Sequence, residues 1–147
     1  MSETVKIGVF CCVLLFPILC ASQEALYVGS EACRDCHETE YDNYMQYSKK
    51  AHSFQSIKKM EKKLTPKEYK GCFECHTTGF GKPGGFVSET ETPALKDAGC
   101  EVCHGPGSLH AETEDPEDIS REVAMEDCHV CHNENRIKDF DFKPLLY

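Results

Sequence analysis

Cys33-Arg-Asp-Cys36-His37, Cys72-Phe-Glu-Cys75-His76, Cys100-Glu-Val-Cys103-His104 and Cys128-His-Val-Cys131-His132 repeat one pattern four times in a chain of 147 residues. C-x-x-C-H is the signature of c-type haem attachment. Two thiols separated by two residues can add to the two vinyl groups of one porphyrin. The histidine that follows is then held under the ring as the proximal iron ligand. Paired C-x-x-C motifs also build tetrathiolate zinc sites, and secreted chains use cysteines as disulfide frameworks. Either use would leave the histidine after every second cysteine unexplained, so the pattern is read as four covalently bound haem c groups.

The length allows one domain. Eight of the 11 cysteines lie in the motifs, and the others are Cys11, Cys12 and Cys20. These three fall in an apolar run, Ile7 to Leu19, that follows Lys6 and is interrupted by Pro17. Such a layout reads as a secretory signal peptide over residues 1–22, cleaved near Ala21 or Ser22, with a tetrahaem domain over 23–147. The run is short for a bilayer span. Membrane association would require an uncleaved signal or a lipid on Cys20, where the preceding Leu19 is larger than a lipobox favours. A periplasmic or extracellular destination follows.

The formal net charge is −9, which makes nucleic acid an improbable partner. The charge is uneven. Eight lysines stand between Lys49 and Lys70 against Glu61 and Glu68, and eight acids between Glu112 and Asp127 against Arg121. These runs read either as solvated faces or as an asymmetry that orients the molecule on a redox partner.

The mature chain is short of large aliphatic residues and has no tryptophan. Roughly 125 residues would surround four macrocycles, so the haems act as the staples a thin core needs. The expected fold is mainly α with long irregular connections, a compact multihaem cytochrome whose stacked haems form the core.

Glu38 to about Lys63 lacks proline and glycine and predicts a long helix, with Tyr41, Met45, Ser48 and His52 on one face. Along a continuous helix His52 would stand about 22 Å from His37 at 1.5 Å per residue, too far to share one iron. As a distal ligand it would serve a different haem. Thr65 and Pro66 read as N-cap and first position of a further helix. Gly79-Phe-Gly-Lys-Pro-Gly-Gly85 lacks the context of a phosphate loop and reads as backbone passing close to a haem, as do Gly99, Gly105 and Gly107. Phe86 to Thr92 is expected to be extended. His110, six residues after His104, is better placed to reach a neighbouring haem than its own. His129 lies inside the fourth motif and either ligates an adjacent haem or faces solvent. Phe140, Phe142, Leu145 and Leu146 in the tail are expected to pack back on the core.

From Ala32 to Gly107 the chain resembles the tetrahaem cytochrome c-554 family. The resemblance is carried by the first motif with Ala51-His52 after it, by Cys-x-x-Cys-His-x-x-Gly-Phe-Gly-x-x-Gly-Gly from Cys72 to Gly85, and by Gly99-Cys-Glu-x-Cys-His-Gly-Pro-Gly107. It implies a mainly helical fold with haems in stacked pairs, His52 as distal ligand to the third haem and His110 to the first. The second haem, on Cys72 and Cys75, would be five-coordinate. It also implies a redox partner such as a hydroxylamine-oxidoreductase-like multihaem enzyme. The family carries a further histidine just before the fourth motif, where Glu122-Val-Ala-Met-Glu-Asp127 has none. Met125 or a histidine from another protein is the alternative ligand there.

The leading expectation is therefore an exported electron carrier between redox donors and acceptors, a quinol-linked membrane cytochrome among them, and not an enzyme. The alternatives are reduction of a small molecule such as nitric oxide at an open haem, and a protomer of a conductive assembly.

Overall fold

Thr65 accepts the backbone N–H of Glu68 while the Glu68 carboxylate accepts that of Thr65, and this reciprocal cap with Pro66 behind it starts a helix at the position the sequence predicts. In the computed structural model, residues 24–133 are described. The predicted signal segment, Cys20 and the apolar tail from residue 139 lie outside them. Seven short α-helices follow one another: α1 Glu38–Tyr47, α2 Ser53–Lys58, α3 Pro66–Lys70, α4 Phe73–His76, α5 Glu101–His104, α6 Ser108–Thr113 and α7 Met125–His129. Single 3-10 turns at Ser30–Cys33, Lys49–His52, Glu61–Lys63, Pro93–Leu95 and Pro116–Asp118 punctuate the irregular connections. Among the described residues there is no strand, and none of their helices is long and apolar enough to cross a membrane. The mainly α fold with long irregular connections is thus what the chain adopts.

The single helix expected from Glu38 to Lys63 is not formed. The backbone turns extended at Ser48 (φ −86°, ψ 122°), and the Ser48 hydroxyl accepts the N–H of Lys50. A serine offers the backbone a local partner that competes with the helix. A distant segment completes the break: the Asp97 carboxylate accepts the N–H of Phe54 at 2.9 Å and so caps α2. The 22 Å separation of His37 and His52 presupposed a continuous helix and does not hold. Residues 86–92 are not a strand either; after Phe86 the chain folds into a turn closed by Thr92 N–H on the Ser88 carbonyl.

The protein has an apolar core of its own beside the attachment motifs. Phe54, Ile57, Phe86 and Leu95 are buried, and Tyr27, Tyr69, Phe73 and Phe80 pack against them. Phe73, between Cys72 and Cys75, touches four rings with centroids 5.1 to 6.1 Å away, mostly edge to face. The glycine-rich loop is seated on this protein core. A Cβ at Gly85 would lie 1.7 Å from the Gly79 carbonyl oxygen, and one at Gly79 (φ +68°) would meet the Tyr27 ring at 2.7 Å. Small residues are needed there because Leu26 and Tyr27 cross the loop. Gly99 likewise packs on Ser30 and Thr78, Gly107 on Glu101, and Gly105 has nothing within 4 Å.

Candidate functional site

Each motif forms one helical turn closed in the same way. The N–H of His37, His76, His104 and His132 donates to the carbonyl of Cys33, Cys72, Cys100 and Cys128, at 2.9, 3.1, 3.1 and 2.8 Å. Residues i, i+3 and i+4 share one face of a turn, so both thiols and the imidazole point the same way. The eight cysteines are free of disulfides, and all are half-buried except Cys36, which is exposed.

Backbone carbonyls fix the tautomer of several imidazoles. His76 Nδ1 meets the Ser53 carbonyl at 3.0 Å, His104 Nδ1 that of Ser120 at 2.7 Å, and His110 Nδ1 that of Asp115 at 2.8 Å. A ring that donates from Nδ1 leaves a lone pair on Nε2, the form that binds a metal. Burial, helped by the Lys50 ammonium, lowers the pKa of His132 and favours its neutral, ligating state. With two convergent thiols, this donor set fits a haem: the cysteines would bond the porphyrin through its vinyl groups and the imidazole would supply a nitrogen to its iron.

Other imidazoles are arranged differently. The rings of His37 and His110 lie close, with centroids 6.2 Å apart and planes inclined by 31°. His52 Nε2 turns back to the Met45 carbonyl at 3.0 Å, and His52 and His129 are both exposed.

The motifs also touch one another. Cys33 and Cys100 lie near enough to push the Cys33 pKa up and draw that of Cys100 down, and the Cys100 N–H donates to Ser30 Oγ at 3.0 Å. Cys75 Sγ lies 3.8 Å from the Val130 carbonyl and Cys131 Sγ 3.8 Å from that of Cys75. Cys103 is close enough to Cys128 and Cys131 to feel their charge, and α5 packs on α7. The contacts therefore run first to third, third to fourth, and fourth to second motif. Among the described residues no three potential ligands gather into a metal-holding cluster.

Sequence reasoning missed the strip that locks three motifs together, residues 97–100. Ala98 N–H donates to Ser53 Oγ at 3.0 Å, and its carbonyl accepts the Tyr44 hydroxyl. Gly99 N–H donates to Thr78 Oγ1 at 2.9 Å and Cys100 N–H to Ser30 Oγ at 3.0 Å. Ser53 also donates to the His76 carbonyl at 2.9 Å. Serines and threonines in loops carry no pattern that marks them as tethers. Glu101, buried inside the third motif, was missed for the same reason.

The family model for "Cytochrome c554 and c-prime" matches residues 32–105. Cytochrome c-554 of Nitrosomonas europaea is 36% identical over 95 residues, an alignment covering 57% of this chain and 40% of that protein. The chain thus matches less than half the length of that relative. No solved structure matches it. With half of its sequence matched in the region that holds three of the four helical attachment turns, the chain belongs to the cytochrome c554 and c-prime family, c-type cytochromes that carry covalently bound haem.

Proposed function

We propose that the protein is an exported tetrahaem electron carrier. Haem bound at each motif supplies one-electron redox chemistry, and the protein's part is ligation, spacing and tuning of potential. His37, His76, His104 and His132 are the proximal ligands in this reading, attached beside Cys33 and Cys36, Cys72 and Cys75, Cys100 and Cys103, Cys128 and Cys131. The observation that carries it is the adjacency of the motifs: Cys100 N–H donates to Ser30 at the first motif, α5 packs on α7, and Cys75 and Cys131 each reach a carbonyl across the second and fourth motifs at 3.8 Å. Groups attached at adjacent motifs would lie close together, and that is what electron relay between them requires.

His110 would supply a second imidazole to the group held at the first motif. Two imidazoles on one metal, at about 2 Å per metal–nitrogen bond, put their ring centroids about 6 Å apart. The 6.2 Å between His37 and His110 supports that pairing. His52 as distal ligand at the third motif rests on the resemblance alone, as does the open face at the second. The partners are redox proteins, a hydroxylamine-oxidoreductase-like enzyme or a quinol-linked cytochrome among them.

A haem-to-protein ratio of four, with a reductive titration that takes up four electrons, is the expected result. A ratio below four, or irons that exchange no electrons, refutes the proposal.

Ligand arithmetic favours a second activity at one iron. Seven histidines less four proximal ones leave three for four distal positions. At least one iron thus lacks a distal histidine from these seven, and where neither Met125 nor another protein fills that face it would be open to a small molecule such as nitric oxide. Spectra that show every iron six-coordinate and unmoved by nitric oxide exclude it.

A further inference from the structure

We propose that Glu101 is a buried fixed negative charge that holds down the reduction potential of the centres attached at the first and third motifs. The proposal rests on the haem-bearing reading above. Glu101 stands next to Cys100 and is only 2% exposed. Its Oε1 accepts the N–H of Val28 at 2.9 Å and of Gly107 at 2.8 Å, and its Oε2 accepts the N–H of Gly29 at 2.8 Å. Every contact is donated to the carboxylate, which acts as an acceptor on both oxygens, as an ionised carboxyl does. None of the ion pairs among the described residues involves it. Three backbone dipoles therefore hold the charge in place without neutralising it.

Its position decides which centres it reaches. Gly29 leads straight into the turn Ser30–Cys33, and Ser30 Oγ accepts the Cys100 N–H at 3.0 Å, so the carboxylate sits where the first and third motifs meet. Tyr27 and Cys33 both lie within its field. The second and fourth motifs pair with each other, and the fourth meets the third through α7 on α5 rather than at the Val28–Gly29 and Gly107 backbone that holds the carboxylate. In a low-dielectric interior a charge acts over a longer distance than in water. Ferric porphyrin carries one more positive charge than ferrous, so a neighbouring anion stabilises the oxidised state.

Spectroelectrochemical titration of purified holo-protein tests the assignment, with wild type, Glu101→Gln and Glu101→Asp compared. In Glu101→Gln two of the four midpoints are expected to rise by a tenfold change in the reduction equilibrium, about 59 mV for one electron. The other two move much less, and Glu101→Asp, which keeps the charge, stays near wild type. Four unmoved midpoints, or one uniform shift of all four, overturn the proposal. Lower melting temperatures in both variants with unchanged potentials assign Glu101 a purely structural role and overturn it too. If Glu101→Gln does not mature, redox-difference infrared spectra of ¹³C-glutamate-labelled wild type replace it. A labelled carboxylate band that shifts on reduction in wild type and is lost in Glu101→Asp supports the proposal, and the lack of such a band refutes it. A wild-type chain found without haem fails the underlying reading instead, before any variant is made.

Discussion

His37 and His110 come from opposite parts of the chain, yet their rings lie close, at a centroid separation of 6.2 Å. The His110 ring is steered by α6 and by its Nδ1 contact with the Asp115 carbonyl. If the two share one iron, His110→Ala should convert one low-spin centre to high-spin and open it to carbon monoxide. Paramagnetic resonance of the purified variant, counted against wild type, is the measurement. An unchanged spin count would show that His110 ligates nothing.

Ser53 ties two attachment sites together, donating to the His76 carbonyl and accepting from Ala98 N–H while only 8% exposed. Ser53→Ala leaves a buried donor and a buried acceptor unpaired, at about 1–3 kcal/mol each. Urea unfolding of the holo-protein should show that loss, and the His76 centre should show a broadened spectrum as its backbone loosens.

The aromatic core should be costly to hollow out. Phe54 is 5% exposed and packs on Phe73 and Phe86 at 6.1 and 5.8 Å. Phe54→Ala is expected to destabilise the protein by about 3–5 kcal/mol, the usual range for a buried ring. Equilibrium unfolding with all groups attached reads this directly.

Two glycines of the loop after the second motif should respond differently to alanine. A Cβ at Gly85 would strike the Gly79 carbonyl backbone at 1.7 Å, whereas one at Gly81 meets nothing and only strains a φ of +77°. Gly85→Ala should abolish accumulation of folded protein. Gly81→Ala should cost about 1–2 kcal/mol and still mature. Yields and melting curves of the pair separate the two causes.

The cap of α3 carries a pH dependence. Hydrogen bonds from the Thr65 side chain and backbone hold the Glu68 carboxyl below its ordinary range. A depressed folded pKa contributes stability that is present above the unfolded value and lost as pH falls through the folded one. The stability gap between wild type and Glu68→Gln should therefore close between about pH 5 and pH 3. Thr65→Ala should cost about 1 kcal/mol near neutrality.

The attachment turns and the α3 cap were legible because their signals are local. A spacing of three and four residues defines one face of one turn, and Thr65, Pro66 and Glu68 satisfy one another without outside help. The break at Ser48 was not legible, because Asp97, far along the chain, takes the N–H of Phe54 and removes the reason for α1 to continue. The glycines were recognised as tight places, and among their neighbours are Leu26, Tyr27 and the loop's own backbone.

By itself, then, the order of residues determined the chemistry of each site: two thiols and an imidazole on one turn, repeated four times. Only the tertiary structure decided which sites are neighbours, which histidine lies close to which, and where the buried charge of Glu101 falls. Covalent spacing acts within a turn and is written in adjacent residues. Proximity between sites depends on side chains such as Ser30, Ser53, Thr78 and Asp97, whose partners are found only once the chain has folded.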